Sequence, residues 1–212
     1  MLENIHRLGH DSFRLDGSVT VYVDPWKLPP GPPPAELVLV THDHYDHLSL
    51  PDIEAVAGPG TVVVGPASVT AQIEGIETVT LAPGESAQVN GVDVGAVPAY
   101  NLDKFRAPGQ PFHPKEAGYV GYVFTLDGVR YYHAGDTDAI PEMRDVQCDV
   151  ALLPVSGTYV MTCEEACHAC DLVTAKHAVP MHYGDIVGDD DDAERFRDSC
   201  RIPVTVLPLE RG

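Results

Sequence analysis

Positive charge is scarce in this chain: 13 Lys and Arg stand against 32 Asp and Glu over 212 residues, a formal net charge of −19. A surface this acidic repels polyanions, so nucleic acid is not expected as a partner. Long apolar runs are also missing. No stretch approaches the ~18 residues of a membrane-crossing helix, and Met1-Leu2-Glu3-Asn4-Ile5-His6 shows no basic region leading into an apolar one. The expectation is a cytoplasmic protein with no membrane partner. Cysteine is sparse and odd in number, five in all, with three crowded between Cys163 and Cys170. That is not the pattern of a secreted disulfide framework. No segment signals an oligomeric state.

What the chain does have is core-forming material. Hydrophobic residues make up 44% and charged residues only 21%, the balance of a globular protein whose length suits one domain over residues 1–212. Short β-branched runs recur at Val19 to Val23, Leu37 to Val40, Thr61 to Val64, Val92 to Val97, Tyr119 to Thr125, Val129 to His133, Val150 to Leu153 and Ala178 to Met181, punctuated by Gly, Pro and Asp. Asp127-Gly128 supplies the turn of a hairpin. Helices are expected at Leu50 to Ala57, Pro66 to Ile73, Thr162 to Thr174 and Gly188 to Ser199. Thr162 is a candidate cap, and the acidic run at 189–192 is read as a cap with a solvated first turn. Strands first, then strands alternating with helices, indicate an α+β protein with two sheets in contact and helices outside them.

The chemistry concentrates where the apolar run Leu37-Val38-Leu39-Val40 gives out. His42-x-His44-x-Asp46-His47 puts four metal-ligating side chains within six residues at the end of a buried strand. Imidazoles and a carboxylate crowded this closely are unfavourable without a cation to share. His42 and His44, as alternate residues of extended backbone, project to the same side and can reach one ion; Asp46 and His47 lie past the bend, free to face a neighbouring one.

His-x-His-x-Asp-His after a hydrophobic strand resembles the metal-binding motif of the metallo-β-lactamase fold hydrolases. His133-Ala134-Gly135-Asp136-Thr137 resembles that superfamily's Gly-Asp-Thr segment, and Val179-Pro180-Met181-His182-Tyr183-Gly184 its late strand-end histidine. Gly9-His10-Asp11-Ser12-Phe13 and Tyr22-Val23-Asp24-Pro25-Trp26 resemble the opening of a simple subgroup that includes the bacterial ascorbate-6-phosphate lactonase. The similarity runs in order along essentially the whole chain. It implies a four-layer αβ/βα sandwich of two mixed sheets with helices on the outer faces. It also implies two divalent ions, zinc with manganese or iron as alternatives. His42 and His44 would hold the first ion; Asp46, His47 and His182 the second; Asp136 would bridge them. Asp46 and Asp136 would be the catalytic carboxylates, and Asp24 would orient a ligand histidine.

The chain departs from the commonest pattern at the third histidine of the first ion, where Ala99-Tyr100-Asn101 replaces a strand-end histidine. His113, in Pro111-Phe112-His113-Pro114, is the one imidazole between His47 and His133, and it is the candidate that completes the set. His10 is a candidate for contacting substrate or the metal pocket. Ser156, with no base beside it in sequence, is not read as a nucleophile. His133, one register away from Asp136, is read as structural, as are His6, His168 and His177. Cys163, Cys167 and Cys170 share the spacing of the radical S-adenosylmethionine cluster motif. They fall at i, i+4 and i+7 of a predicted helix, however, which is the spacing of a packed face.

Two functions follow as expectations. One is a hydrolase in which a metal-bridged hydroxide attacks a small lactone, ester or phosphate ester. The length leaves no room for the inserted or appended domains of the nuclease and glyoxalase II relatives, so a small-molecule substrate is expected, with Lys104, Arg106 and Lys115 as a basic cluster near His113. The other is a non-hydrolytic member of the same fold, with a redox diiron site or a degenerate one.

Overall fold

The computed structural model describes residues 2–210; Met1, Arg211 and Gly212, the ends of the expected 1–212 unit, lie outside the described residues. Two six-stranded mixed sheets face each other. The first runs in chain order through β1 (Ile5–Arg7), β2 (Phe13–Asp16), β3 (Thr20–Val23), β4 (Ala35–Leu39), β5 (Ala57–Gly65) and β6 (Glu77–Thr80). Its first three strands are antiparallel and its last four parallel. The second sheet contains β7 (Ser86–Val89), β8 (Val92–Pro98), β11 (Val120–Leu126), β12 (Val129–His133), β13 (Gln147–Pro154) and β14 (Thr174–Met181), in the spatial order β14-β13-β12-β11-β8-β7. Between β8 and β11 the chain leaves the sheet as a small arm, β9 (Phe105–Ala107) paired with β10 (Gln110–Pro111).

Parallel neighbours need a crossover, and helices provide most of them: α1 (Leu50–Val56) between β4 and β5, α2 (Ala67–Thr70) between β5 and β6, and α3 (Cys163–Leu172) between β13 and β14. α4 (Asp190–Ser199) packs beside α3. The central strands of the first sheet, β3 to β5, are largely apolar on both faces, and the two-residue period sorts them. Val21, Val23, Leu37 and Leu39 join the inter-sheet core with Val94, Tyr122 and Phe124. Tyr22, Val38, Val40 and Val63 pack outward against Ile53 and Val56 of α1 and Val69 of α2. This continuity explains why Leu37 to Val40 reads as an unbroken apolar run. Tyr122 spans the inter-sheet core and its hydroxyl donates to the Val40 carbonyl at 2.8 Å, tying the sheets together immediately before the His-x-His segment.

The sequence located eight of these strands but not β1, β2, β6, β7 or the β9–β10 arm, and α2 is shorter than Pro66 to Ile73. Both caps are as expected. Thr162 and Glu165 form a reciprocal capping box on α3, and Asp189 and Asp192 form one on α4, each worth ~1 kcal/mol. The cysteine expectation holds for Cys163 and Cys170, which are buried in the core, but not for Cys167. That residue forms a disulfide with Cys200 at the end of α4, with a Cα separation of 5.1 Å. The second position of the three, partly buried against the core, bonds towards the end of α4.

A candidate metal centre

The site gathers at one edge of the sandwich, where strands of both sheets end. It is positioned first by Asp24, fully buried at the end of β3 in the left-handed region (φ 45°), a conformation uncommon for a residue with a Cβ. Its carboxylate accepts from the Thr41 backbone N–H at 2.8 Å, the Thr41 hydroxyl at 2.7 Å and His47 Nδ1–H at 2.8 Å. The Thr41 hydroxyl in turn accepts from His42 Nδ1–H at 3.0 Å. One carboxylate therefore fixes the tautomer of two rings and turns both Nε2 atoms inward.

The same arrangement recurs at two other histidines. His113 follows the β9–β10 arm, and its Nδ1–H and backbone N–H both donate to Asn101 Oδ1, at 3.0 and 2.8 Å. His182, just past β14 and also in the left-handed region (φ 60°), donates from Nδ1 to the Ser156 hydroxyl at 2.9 Å, and that hydroxyl donates onward to the Thr158 carbonyl. His44 is oriented differently. Its Nδ1 stands 3.0 Å from His42 Nε2, so these two nitrogens share either a proton or an ion.

The inward-facing atoms converge on Asp136, which lies past β12 in a turn that requires Gly135. At φ +64° a side chain there would be strained, and its Cβ would stand 2.9 Å from the Val120 carbonyl. Asp136 Oδ2 is 3.2 Å from His113 Nε2 and 3.4 Å from His182 Nε2; Oδ1 is 3.4 Å from His47 Nε2. Three sets of donors each fall within 4.8 Å of one another: His42, His44 and His113; His42, His47 and Asp136; and His10, Asp11 and His182. Asp46 borders the same basin, its Oδ2 lying 3.9 Å from both His10 Nε2 and His47 Nε2. The structure thus brings together every residue singled out as a site candidate, including His113, and places Asp24 behind His47.

It also adds residues that the sequence did not reveal in these roles. Asp11 lies fully buried among His10, His47 and His182, while Asn101 and Ser156 hold ligand-type rings from behind. His133, expected to be structural, hydrogen-bonds through Nε2 to the Asp11 carbonyl at 3.0 Å. Lys104 is tied to Asp103 and Glu165, and Lys115 to Glu142. Of the expected basic cluster, only Arg106 keeps its guanidinium without a carboxylate partner among the described residues.

Electrostatically the basin is frustrated without a cation. Burial holds the His10 imidazole neutral, its pKa pushed down to about 2, and burial with His47 nearby drives His42 well below the usual range. Burial also disfavours charge on His47 and on His182, yet Asp136 with Asp24 raises the first and Asp136 with Asp11 raises the second. Burial pushes the Asp11 carboxyl up to about 7. His10 Nδ1 and Nε2, both Asp11 oxygens, His47 Nε2 and Asp136 Oδ1 are buried without a hydrogen-bond partner. Native interiors leave few such groups, and here they concentrate in one basin. A donor set of imidazole nitrogens and carboxylate oxygens, pre-oriented and otherwise orphaned, fits divalent ions.

A cleft of about 500 Å³ opens onto this basin, lined by Asp43, His44, Tyr45, Arg106, Phe112 and Tyr159 among others. Phe112 and Tyr159 meet edge to face at 4.7 Å, and the Arg106 guanidinium lies 5.8 Å over the Phe112 ring.

Comparison with known proteins agrees with the geometry. Residues 4–182 match the family described as the beta-lactamase superfamily domain. A UPF0173 metal-dependent hydrolase from Methanoculleus marisnigri is 37% identical over 196 residues, covering 90% of this chain and 85% of its own. A crystal structure of a candidate metal-dependent hydrolase from Parabacteroides distasonis superposes with a TM-score of 0.84 at 31% identity, over 97% of this chain and 93% of the other. A metallo hydrolase from Ignicoccus hospitalis shares the fold, with a TM-score of 0.78 at 23% identity over 98% and 95% of the two chains.

Proposed function

The chain belongs to the metal-dependent hydrolases of the beta-lactamase superfamily, and on that premise we propose that it is a dinuclear enzyme cleaving small lactones, esters or phosphate esters that carry an anionic group. The observation that carries the two-ion reading is the pair of donor clusters around Asp136: His42, His44 and His113 meet within 4.8 Å on one side, and the partnerless His47 Nε2 and the Asp11 oxygens lie on the other. His42, His44 and His113 would hold one ion; Asp46, His47 and His182 the other; Asp136, with oxygens facing both sets, would join them. Zinc suits the imidazole-rich half, with manganese or iron as alternatives. When bound, such ions supply Lewis acidity and acidify water enough to serve as a nucleophile near neutral pH.

The protein's own residues do the rest. Asp24, Asn101 and Ser156 engage the Nδ1 atoms, so every Nε2 they control is already turned inward, the atom that would meet an ion. The cleft supplies an apolar wall, Phe112 against Tyr159, with Arg106 at its edge. In a chain of net charge −19, a cleft-wall guanidinium that donates to the Phe112 carbonyl at 3.2 Å and has no carboxylate partner among the described residues is suited to a carboxylate or phosphate on the substrate. It would hold the body of the substrate against the aromatic wall while the scissile group enters the basin.

The test is a screen of purified protein, stripped with a chelator and reloaded with defined metals, against lactones, thioesters, phosphomonoesters and phosphodiesters. Hydrolysis that disappears on stripping and returns on reloading is expected. Arg106→Ala should raise KM for anionic substrates about tenfold, with little change for neutral ones. Full metal loading with no hydrolysis across the panel, especially with visible absorbance from iron, would favour the redox reading instead.

A further inference from the structure

One buried acidic group has no part in this scheme. Asp11 is 0% exposed, yet neither of its carboxylate oxygens has a hydrogen-bond partner. We propose that Asp11 is a further ligand of the second ion, giving that centre a third carboxylate beside Asp46 and Asp136 and a preference for an oxygen-seeking ion such as Mn²⁺. The inference rests on the two-ion reading above.

The backbone around Asp11 is built into the site. Leu8 N–H donates to the Ser12 carbonyl at 2.8 Å, closing the turn between β1 and β2. His182 N–H donates to the His10 carbonyl at 2.9 Å, and His133 Nε2–H to the Asp11 carbonyl at 3.0 Å. The turn is thereby clamped to the ends of β14 and β12, the strands that deliver His182 and Asp136.

From this position Asp11 Oδ2 stands 3.6 Å from His10 Nε2, 3.7 Å from His47 Nε2 and 4.0 Å from His182 Nε2. These separations exceed hydrogen-bond range. They lie within the ~4.4 Å that two donors can span when each is ~2.2 Å from one ion. A buried carboxylate paired with imidazolium would close to roughly 2.7–2.9 Å, and none of the three rings does so. An unpaired carboxylate in the interior is unfavourable, and a shared cation removes that penalty.

Donor counting separates the two centres. The first has three imidazoles and one oxygen of Asp136, a set that suits four-coordinate zinc. The second, with Asp11 included, has His47, His182 and three carboxylates, and oxygen-rich sites of higher coordination suit manganese.

The test uses the full-length protein, stripped and titrated separately with Mn²⁺ and Zn²⁺, with stoichiometry read by native mass spectrometry and Mn²⁺ binding by electron paramagnetic resonance. The wild type should bind two ions. Asp11→Asn, nearly isosteric, should bind the second Mn²⁺ at least about tenfold more weakly while keeping the first, whose retention reports an intact fold. Unchanged affinity for both ions in Asp11→Asn would overturn the assignment. Should the wild type bind a single ion, comparison with His113→Ala decides. An ion lost in Asp11→Asn but kept in His113→Ala supports Asp11 and defeats only the two-ion reading; an ion kept in Asp11→Asn defeats the Asp11 assignment. X-ray absorption at the manganese edge, on wild type carrying zinc at the first centre and Mn²⁺ at the second, is a check that does not depend on a variant folding. A five- or six-coordinate, oxygen-rich shell is expected, and a four-coordinate, nitrogen-rich one contradicts the proposal.

Discussion

The two halves of the basin around Asp136 are built from different chemistry. On the side facing the cleft, His42, His44 and His113 meet through ring nitrogens, and burial keeps His42 and His44 below the usual histidine range. On the buried side, His47 and His182 are raised above it by the carboxylates of Asp136, Asp24 and Asp11. His42 and His44 are therefore neutral near neutral pH, whereas His47 and His182 sit among carboxylates that favour their charged forms. Two ions held side by side need not be equivalent, and this asymmetry gives each half its own affinity, proton linkage and metal preference.

The largest effect should come from removing what the halves share. Asp136→Ala is expected to weaken both ions and cut hydrolysis by at least about 10³-fold; retention of two ions at unchanged affinity would dissolve the link between the halves. Next come changes confined to one half. His113→Ala should lose one ion and leave the other bound. Asp46→Ala should do the reverse with only a modest loss of stability, because Asp46 is a loop residue making few core contacts. Elemental analysis distinguishes these outcomes, and identical losses in both variants would argue for a single merged site.

How much of this asymmetry could be read from the sequence depends on whether ligands lie close along the chain. His42, His44, Asp46 and His47 are visible because one strand end presents them together, and resemblance located Asp136 and His182 at later strand ends. His113 emerged by elimination. Asp11 did not emerge, although Gly9-His10-Asp11-Ser12-Phe13 was noted. It precedes His42 by 31 positions, and its inward direction depends on hydrogen bonds from His133 and His182, which only the assembled sheets supply. Ser156 has no base beside it in sequence, and its contact with His182 Nδ1 at 2.9 Å is likewise a tertiary fact. In the fold, the apolar runs identified the central strands. β6 and β7 are not marked in the sequence because they bury little: of Glu77–Thr80 and Ser86–Val89 only Val89 is buried, with Val79 and Ala87 partly covered beside the core. The β9–β10 arm was missed because strands of three and two residues leave no periodicity to detect.

Proton release sharpens the comparison further. In the stripped protein near neutral pH, His42 and His44 are neutral, so filling their half should release few protons. His47 carries a proton that metal must displace, and His182 is shifted in the same direction, so filling their half should release more. Calorimetric titration in buffers of different ionisation enthalpy measures this, and equal release for the two ions would contradict the asymmetry. The smallest effect is expected one layer out. Asp24→Asn, which keeps the shape but weakens the hold on His47 and Thr41, should cost roughly 10- to 100-fold in affinity for the second ion. The first ion should feel less, since His42 is reached through Thr41.

The most direct measurement is a crystal structure of the metal-loaded protein with anomalous diffraction collected at the edges of the bound metals. Two peaks flanking Asp136 are expected, one against His42, His44 and His113 and the other against Asp46, His47 and His182. A single peak, or peaks away from Asp136, would contradict a dinuclear centre.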